Sequence, residues 1–400
     1  MSVIQIRLVT KLDKPYSSNL APMFVPSNSS QPDLSDLMSQ LLELENVQFD
    51  FIIKGQFLID SLQEHVKKFN LSAETIIDVE YVLALAVPQF KQELKVDDWV
   101  SKIVSLPNHQ LAASSYDGSV SIFELDAQKQ LQIKKTVRIS NQAVTSLIKL
   151  SNLIIAGGYD GRVMLLDEQF NLKLEFTQNH IPVKALSSFY RQNEAFVTVL
   201  NEQNEIVLLN VSSNIDKQAE NVKVGGKFER GVKIAEQEVI QKLEYEAHVI
   251  QQYTQQELLV SSKQAVNIID LETLKSRGLA APSPATCFLT KGETFAAGFM
   301  DRSMRIYDPR LTNPVVRTFL GHKSHVVSLK QRDNDYQMAS CEIGGKILVW
   351  DIRSSLPYHQ IDVYDSTMDK RSDQARVLDM EWNQDGYFIG GSARKIFWFE

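Results

Sequence analysis

AASSYDGSVSIFEL (112–125) and IIAGGYDGRVMLLD (154–167) are two copies of one pattern. Each has a strand of small and apolar residues, a tight turn carrying Asp-Gly, and a strand ending in a hydrophobic–acidic pair. FAAGFMDRSMRIYD (295–308) and QMASCEIGGKILVWD (337–351) repeat the pattern clearly. AFVTVLNEQNEIVLLN (195–210), LLVSSKQAVNIID (258–270) and YFIGGSARKIFWFE (387–400) repeat it more weakly. Seven copies at a spacing of roughly 40–50 residues predict an all-β array of stacked strand units.

These copies resemble WD-type repeats, which implies a seven-bladed WD-repeat β-propeller over 97–400. Trp350-Asp351 is the one true WD pair and Gly321-His322 the one GH pair. The resemblance implies structural turn carboxylates at Asp117, Asp160 and Asp301, and a structural set of His322, Ser340, Trp350 and Asp351. Gly344 and Ala393 stand where two later blades would carry the turn aspartate, so those blades are expected to rest on strand packing. The polar stretch 212–240 is too long for a simple blade connection and is placed between blades three and four. The last copy ends on a third strand at Glu400. An open sheet edge invites mispairing, so AVPQFKQEL (86–94) is expected to supply the missing strand. The expected organisation is 1–86, a linker 87–96 that closes the last blade, and the propeller.

Ahead of the repeats the signals change. VIQIRLV (3–9) alternates as a strand does, and APMFVPS (21–27) can pair with it. LSDLMSQLLELE (34–45) sets Leu34, Leu37, Met38, Leu41 and Leu42 on one helical face, with Ser35 or Asp33 as the expected cap. FDFIIKGQFLI (49–59) reads as two strands broken at Gly55, LQEHVKKF (62–69) as a helical turn, and TIIDVEYVLAL (75–85) as a last strand. This order resembles the α+β ubiquitin-like fold. No Gly-Gly pair closes the segment, and the chain runs on through LALAVPQF, so it reads as an integral recognition domain.

Composition excludes several classes. The net charge of −7 gives no electrostatic reason to grip nucleic acid. Two cysteines, Cys287 and Cys341, lack metal-type spacing and argue against a disulfide framework. MSVIQIRLVTKLDK has no apolar run of signal-sequence length, and no segment approaches the roughly 18 apolar residues a membrane helix needs. The expectation is a soluble intracellular protein. No P-loop, G-x-G-x-x-G, H-E-x-x-H or G-x-S-x-G motif occurs, so no enzyme is expected. His322 and His325 lack a third metal ligand and read as a blade histidine and a strand start. Trp99, Trp350, Trp382 and Trp398 read as blade core, and Lys370, Arg371 and Arg376 as a solvated loop, with RNA contact the alternative.

An N-terminal ubiquitin-like domain followed by a WD propeller resembles the Notchless-type N-terminal domain family. FDFIIKGQFL, LSAETIIDVEYV and DDWVSKI carry the resemblance, which covers essentially the whole chain. Within it the chain is more similar to the WD-repeat subunit of the PeBoW complex than to eight-bladed Notchless. That implies a non-catalytic role in large (60S) subunit maturation and pre-rRNA processing, in the nucleus, nucleolus and nucleoplasm. The implied partners are the block-of-proliferation protein and pescadillo in a heterotrimer, the AAA ATPase midasin, and the large-subunit pre-ribosome with its pre-rRNA. No membrane, small-molecule substrate or intrinsic cofactor is implied. Taken alone, Glu74 is a solvated loop carboxylate. By position in LSAET the resemblance makes it the ligand offered to a divalent cation, magnesium, held by midasin, whereas Glu80 reads as structural. Three readings compete: Notchless itself, a substrate adaptor of a ubiquitin ligase, and an enzyme.

Overall fold

Gly118 and Gly161 show why the repeats fold as they do. Both sit in the Tyr-Asp-Gly turns with φ of +89° and +79°, where a side chain is strained. A Cβ on Gly118 would also run into the backbone carbonyls of Ser140 and Gln142. In the computed structural model, which describes residues 2–16, 20–45, 47–72, 75–126, 128–177, 180–212, 237–331, 336–364 and 375–400, the chain forms two compact units. One comprises Met1–Val87 with Val349–His359, the other Pro88–Leu348 with Gln360–Glu400.

The first unit is built on a five-stranded mixed sheet of β1 (Val3–Val9), β2 (Met23–Pro26), β3 (Phe49–Ile53), β4 (Gln56–Phe57) and β5 (Ile77–Leu83), in the order β2-β1-β5-β3-β4. β1 and β5 run parallel at its centre, and the outer pairs are antiparallel. Helices α1 (Gln31–Leu41) and α2 (Leu62–Lys68) complete the ubiquitin-like α+β arrangement. Ile6, Met38, Phe49, Phe51, Leu62, Val79 and Tyr81 form its core. The alternation seen in VIQIRLV is the alternation of burial, with Ile4, Ile6 and Leu8 inside.

Helix α1 begins earlier than its apolar spacing suggests. Ser30, not Ser35 or Asp33, is the N-cap, and Asp33 at the third position accepts from the Ser30 amide and hydroxyl at 2.8 and 2.7 Å. Pro32 is tolerated because the first turn needs no amide donor. Ser35 is buried and its hydroxyl accepts from the Phe49 amide at 2.9 Å. The unit also takes in Val349–His359, beyond the expected 1–86. Tyr358 packs edge-on against Phe57 at 4.7 Å, and its hydroxyl accepts from the Leu85 amide at 3.0 Å.

The propeller consists of seven four-stranded sheets. The first strand of each sheet packs against the first strand of the next, and the seventh returns to the first. Six of these inner strands carry a β-bulge at the same place, at Ser101, Thr145, Lys184, Thr286, Val327 and Leu378. At three of them the bulged side chain reaches the neighbouring blade. Ser101 and Thr145 thereby donate to the carbonyls of Val144 and Val183 at 2.5 and 2.7 Å, and Thr286 to that of Val326. At the seam, the Asp379 carboxylate accepts from the Ile103 amide at 3.1 Å.

The last sheet is completed from the other end of the chain. β6 (Phe90–Lys95) pairs antiparallel with Lys395–Phe399, the final strand, with Lys95 opposite Lys395 and Phe90 opposite Phe399. The insertion lies elsewhere than expected. Gln237–Lys242 is the fourth strand of blade three, paired with Glu205–Asn210, so the long excursion falls inside that blade and not between blades three and four. Its polar sequence becomes a strand only through that pairing. Residues 213–236 lie outside the described residues.

Candidate functional site

Glu74 itself lies outside the described residues. What flanks it is defined: the Thr75 hydroxyl donates to the Ser72 carbonyl at 3.2 Å, and β5 starts at Ile77. The two carboxylates on β5 next to it are already engaged. Asp78 forms a two-pronged pair with Arg7 at 2.7 and 2.8 Å, and the Arg7 hydrogen bonds hold its carboxyl below the usual range. Glu80 accepts from the Arg353 guanidinium at 2.9 Å and lies 3.7 Å from the Lys11 amine. Asp50 on β3 behaves differently. Burial pushes it up to about 6, against a smaller lowering by Gln31. Sequence reasoning missed Asp50, because the alternation FDFII gives no sign that its polar position is covered.

The blade residues form local hydrogen-bonded sets. Asp117 accepts from the Ser119 amide and hydroxyl at 2.9 and 2.7 Å, and Asp301 does the same with Ser303 at 3.0 and 2.6 Å. Asp160 accepts from the Arg162 amide and guanidinium at 3.1 and 2.7 Å and from the Ser140 hydroxyl at 2.7 Å. Asp351 is clasped by Arg353 through its amide at 2.9 Å and two guanidinium nitrogens at 2.9 and 2.6 Å.

Blade six keeps a side-chain network despite Gly344 in the turn. His322 is buried, with Nε2 2.6 Å from the Ser340 hydroxyl and Nδ1 3.1 Å from the Glu342 carboxylate. The same Glu342 oxygen accepts from the Lys323 and Ser324 amides at 2.6 and 3.2 Å. Burial alone would raise the Glu342 carboxyl. The His322 bond and the two amides outweigh it and hold the group below the ordinary value. Glu342 therefore does the work expected of a turn aspartate, from two residues before Gly344. Trp350 is fully buried, as are Trp382 and Trp398 nearly so, but Trp99 is 43% exposed and packs edge-on against Tyr116.

Chemistry of the enzymatic kind is not assembled among these groups. The propeller axis holds a cavity of about 370 Å³ whose wall includes Lys102, Lys184, Lys330 and Asp379. Three of its lysines are paired, Lys102 with Asp379 at 3.6 Å, Lys184 with Glu202 at 3.5 Å and Lys330 with Glu381 at 2.6 Å. Burial pushes the Cys287 thiol on this wall up to about 12, so it carries no thiolate near neutral pH. His322 is committed to Glu342 and His325 is exposed; among the described residues no three His, Cys, Asp or Glu side chains group to hold a metal. No helix among them is long and apolar enough to cross a membrane. Lys370 and Arg371 lie outside the described residues, and the Arg376 amide donates to the Ser392 hydroxyl at 2.8 Å.

Comparison with known proteins agrees with both halves. The NLE (NUC135) domain profile matches residues 4–66, and the WD domain, G-beta repeat profile matches 313–351. The chain is 25% identical to the ribosome biogenesis protein YTM1 of Candida glabrata, over 99% of this chain and 96% of that protein. It is 26% identical to YTM1 of Eremothecium gossypii, over 94% and 92%. The ribosome biogenesis protein WDR12 homolog of Arabidopsis thaliana is 24% identical over 98% and 94%. Among solved structures, the WD40 β-propeller domain of Doa1 superposes with a TM-score of 0.61 at 15% identity, over 79% of this chain and 97% of that one, a likeness of fold. The chain carries an NLE domain ahead of a WD-repeat propeller, and relatives named as ribosome biogenesis proteins span nearly all of it.

Proposed function

We propose that this chain is a non-catalytic assembly factor for the large ribosomal subunit, acting in the nucleolus and nucleoplasm on pre-ribosomes and their pre-rRNA processing. The observation that carries the reading is the coverage: relatives named for ribosome biogenesis match both units in one order over 99% of the chain. The seven-sheet ring supports the PeBoW-subunit reading over an eight-bladed Notchless. On this reading the propeller binds the block-of-proliferation protein in a heterotrimer with pescadillo. The ubiquitin-like domain offers Glu74 to a magnesium ion held by midasin, a hard cation that prefers carboxylate oxygen. The chain contributes no cofactor of its own. ATP-driven motion of midasin pulls on that contact and strips the complex from the pre-ribosome.

Support comes from the state of the neighbouring acids. Asp78 and Glu80 are held by arginines. A partner's cation would have to break those pairs to use either one. Glu74→Ala is expected to abolish cation-dependent binding to midasin while the chain stays folded, and Glu74→Asp to weaken it, because the carboxylate reach shortens by a methylene. Binding of Glu74→Ala at wild-type strength, measured with and without chelator, would show the assignment to be wrong.

A further inference from the structure

Blade seven differs from the other six in how it is finished. Its fourth strand, β6, comes from upstream of blade one, and about three hundred residues separate it from its partner strand. No hairpin turn holds the two strands together. None of the six residues of β6 is buried. The fourth strands of blades one, two, five and six each bury at least one apolar side chain: Leu131, Phe176, Phe319 and Ile361. The fourth strand of blade four, Ser276–Ala280, is equally exposed, but a short turn ties it to its own partner.

The side-chain ties of β6 are peripheral. Glu93 meets Lys395 at 2.9 Å and Lys91 meets Glu400 at 3.2 Å. Gln92 exchanges two hydrogen bonds with the Leu131 backbone at 3.0 and 2.7 Å. The Lys91–Glu400 pair is exposed and adds little, whereas the Glu93–Lys395 pair is partly buried. Leu94 packs against a core cluster and Phe90 meets the buried Phe399 ring edge-on at 5.5 Å, but neither of the two is itself buried. The backbone ladder is what mainly holds the strand.

Register decides how that ladder responds to load. Phe90, where the chain enters β6, lies opposite Phe399, next to the last residue, and Gln89 exchanges backbone hydrogen bonds with Glu400 at 2.7 and 2.9 Å. Residues 1–87 join the rest of the chain covalently only through the Val87–Pro88 bond. Tension arriving along that bond acts first on the Gln89–Glu400 end. Rungs are then loaded one after another from that end and do not share the load.

We propose that β6 is a releasable latch: it peels from Lys395–Phe399 as a unit while the remaining strands of the propeller stay paired, and tension through residues 87–89 is what opens it. The inference rests on the proposed removal by pulling for its use, but not for its existence. Opening unpicks blade seven next to the seam that Asp379 and Ile103 close, and tension along residues 87–89 favours it.

The test is amide hydrogen exchange on the full chain with no ATPase present, so the latch and the Glu74 contact can fail separately. Peptides covering 89–95 are expected to exchange roughly tenfold faster or more than those covering Leu172–Thr177 and Val315–Leu320. An oxidised Lys95→Cys, Lys395→Cys pair, set opposite each other in the ladder, is expected to remove that difference, and reduction to restore it. In optical-tweezer pulling between handles at residue 87 and the C-terminus, a Gln89→Cys, Glu400→Cys staple at the loaded end is expected to remove the first, low-force rupture, whereas the Lys95–Lys395 staple at the far end leaves it in place. Exchange of 89–95 at the rate of the other two strands, or a first rupture indifferent to the Gln89–Glu400 staple, would overturn the proposal.

Discussion

Glu342→Ala is the substitution whose cost follows most directly from the structure. It removes one oxygen that accepts from the buried His322 ring at 3.1 Å and from the Lys323 and Ser324 amides at 2.6 and 3.2 Å. An orphaned buried donor costs about 1–3 kcal/mol, and bonds to a charged acceptor lie at the upper end. The two amides are half-exposed and can rehydrate, so the expected loss is about 2–4 kcal/mol. Glu342→Gln keeps an acceptor in place and loses only the charge, for about 1 kcal/mol. The pH dependence has a defined sign. The folded carboxyl lies below its ordinary value of 4.5, so its contribution is present above that pH and is lost as pH falls through the folded value. The wild-type advantage over Glu342→Gln is therefore expected at pH 7 and to shrink as pH falls below the ordinary value of 4.5. Urea unfolding followed by tryptophan fluorescence reads this, since all four tryptophans lie beyond residue 98. An Ala variant within about 0.5 kcal/mol of wild type would refute the reasoning.

Two further substitutions probe other parts of the account. Gly118→Ala forces a side chain onto a φ of +89° and against the Ser140 and Gln142 carbonyls, and is expected to cost about 2–4 kcal/mol in the same unfolding assay. Asp50 is pushed up to about 6 when folded, so the protein holds an extra proton and loses stability as pH rises from about 4 to 6. Asp50→Asn is expected to flatten that slope by on the order of 2–3 kcal/mol across the range, read as thermal stability of the N-terminal domain against pH.

The sequence made some of these features legible and hid others for physical reasons. Tyr-Asp-Gly turns announce themselves, because carboxylate and glycine both serve the backbone within three residues. Pairing between distant segments leaves no such local mark: Gln237–Lys242 reads as a polar loop until Glu205–Asn210 is set beside it. Glu342 was invisible because the blade pattern looks for a carboxylate inside the turn, while a longer side chain two residues before Gly344 reaches the same histidine. Pro32 hid the start of α1, since a helix pattern counted from apolar residues begins only at Leu34. Trp99 reads as core by type, yet its place before the first inner strand leaves it facing solvent. Glu74 stands out by resemblance alone, for nothing in the sequence on either side of it distinguishes it from a solvated loop acid.

Affinity purification of the full chain from its own cells, with the bound RNA sequenced and the bound proteins identified, tests the central claim most directly. The account predicts large-subunit rRNA precursors together with a second propeller protein, and stronger precursor recovery for Glu74→Ala, which cannot be stripped. Recovery of ubiquitin-ligase subunits without those precursors would contradict it.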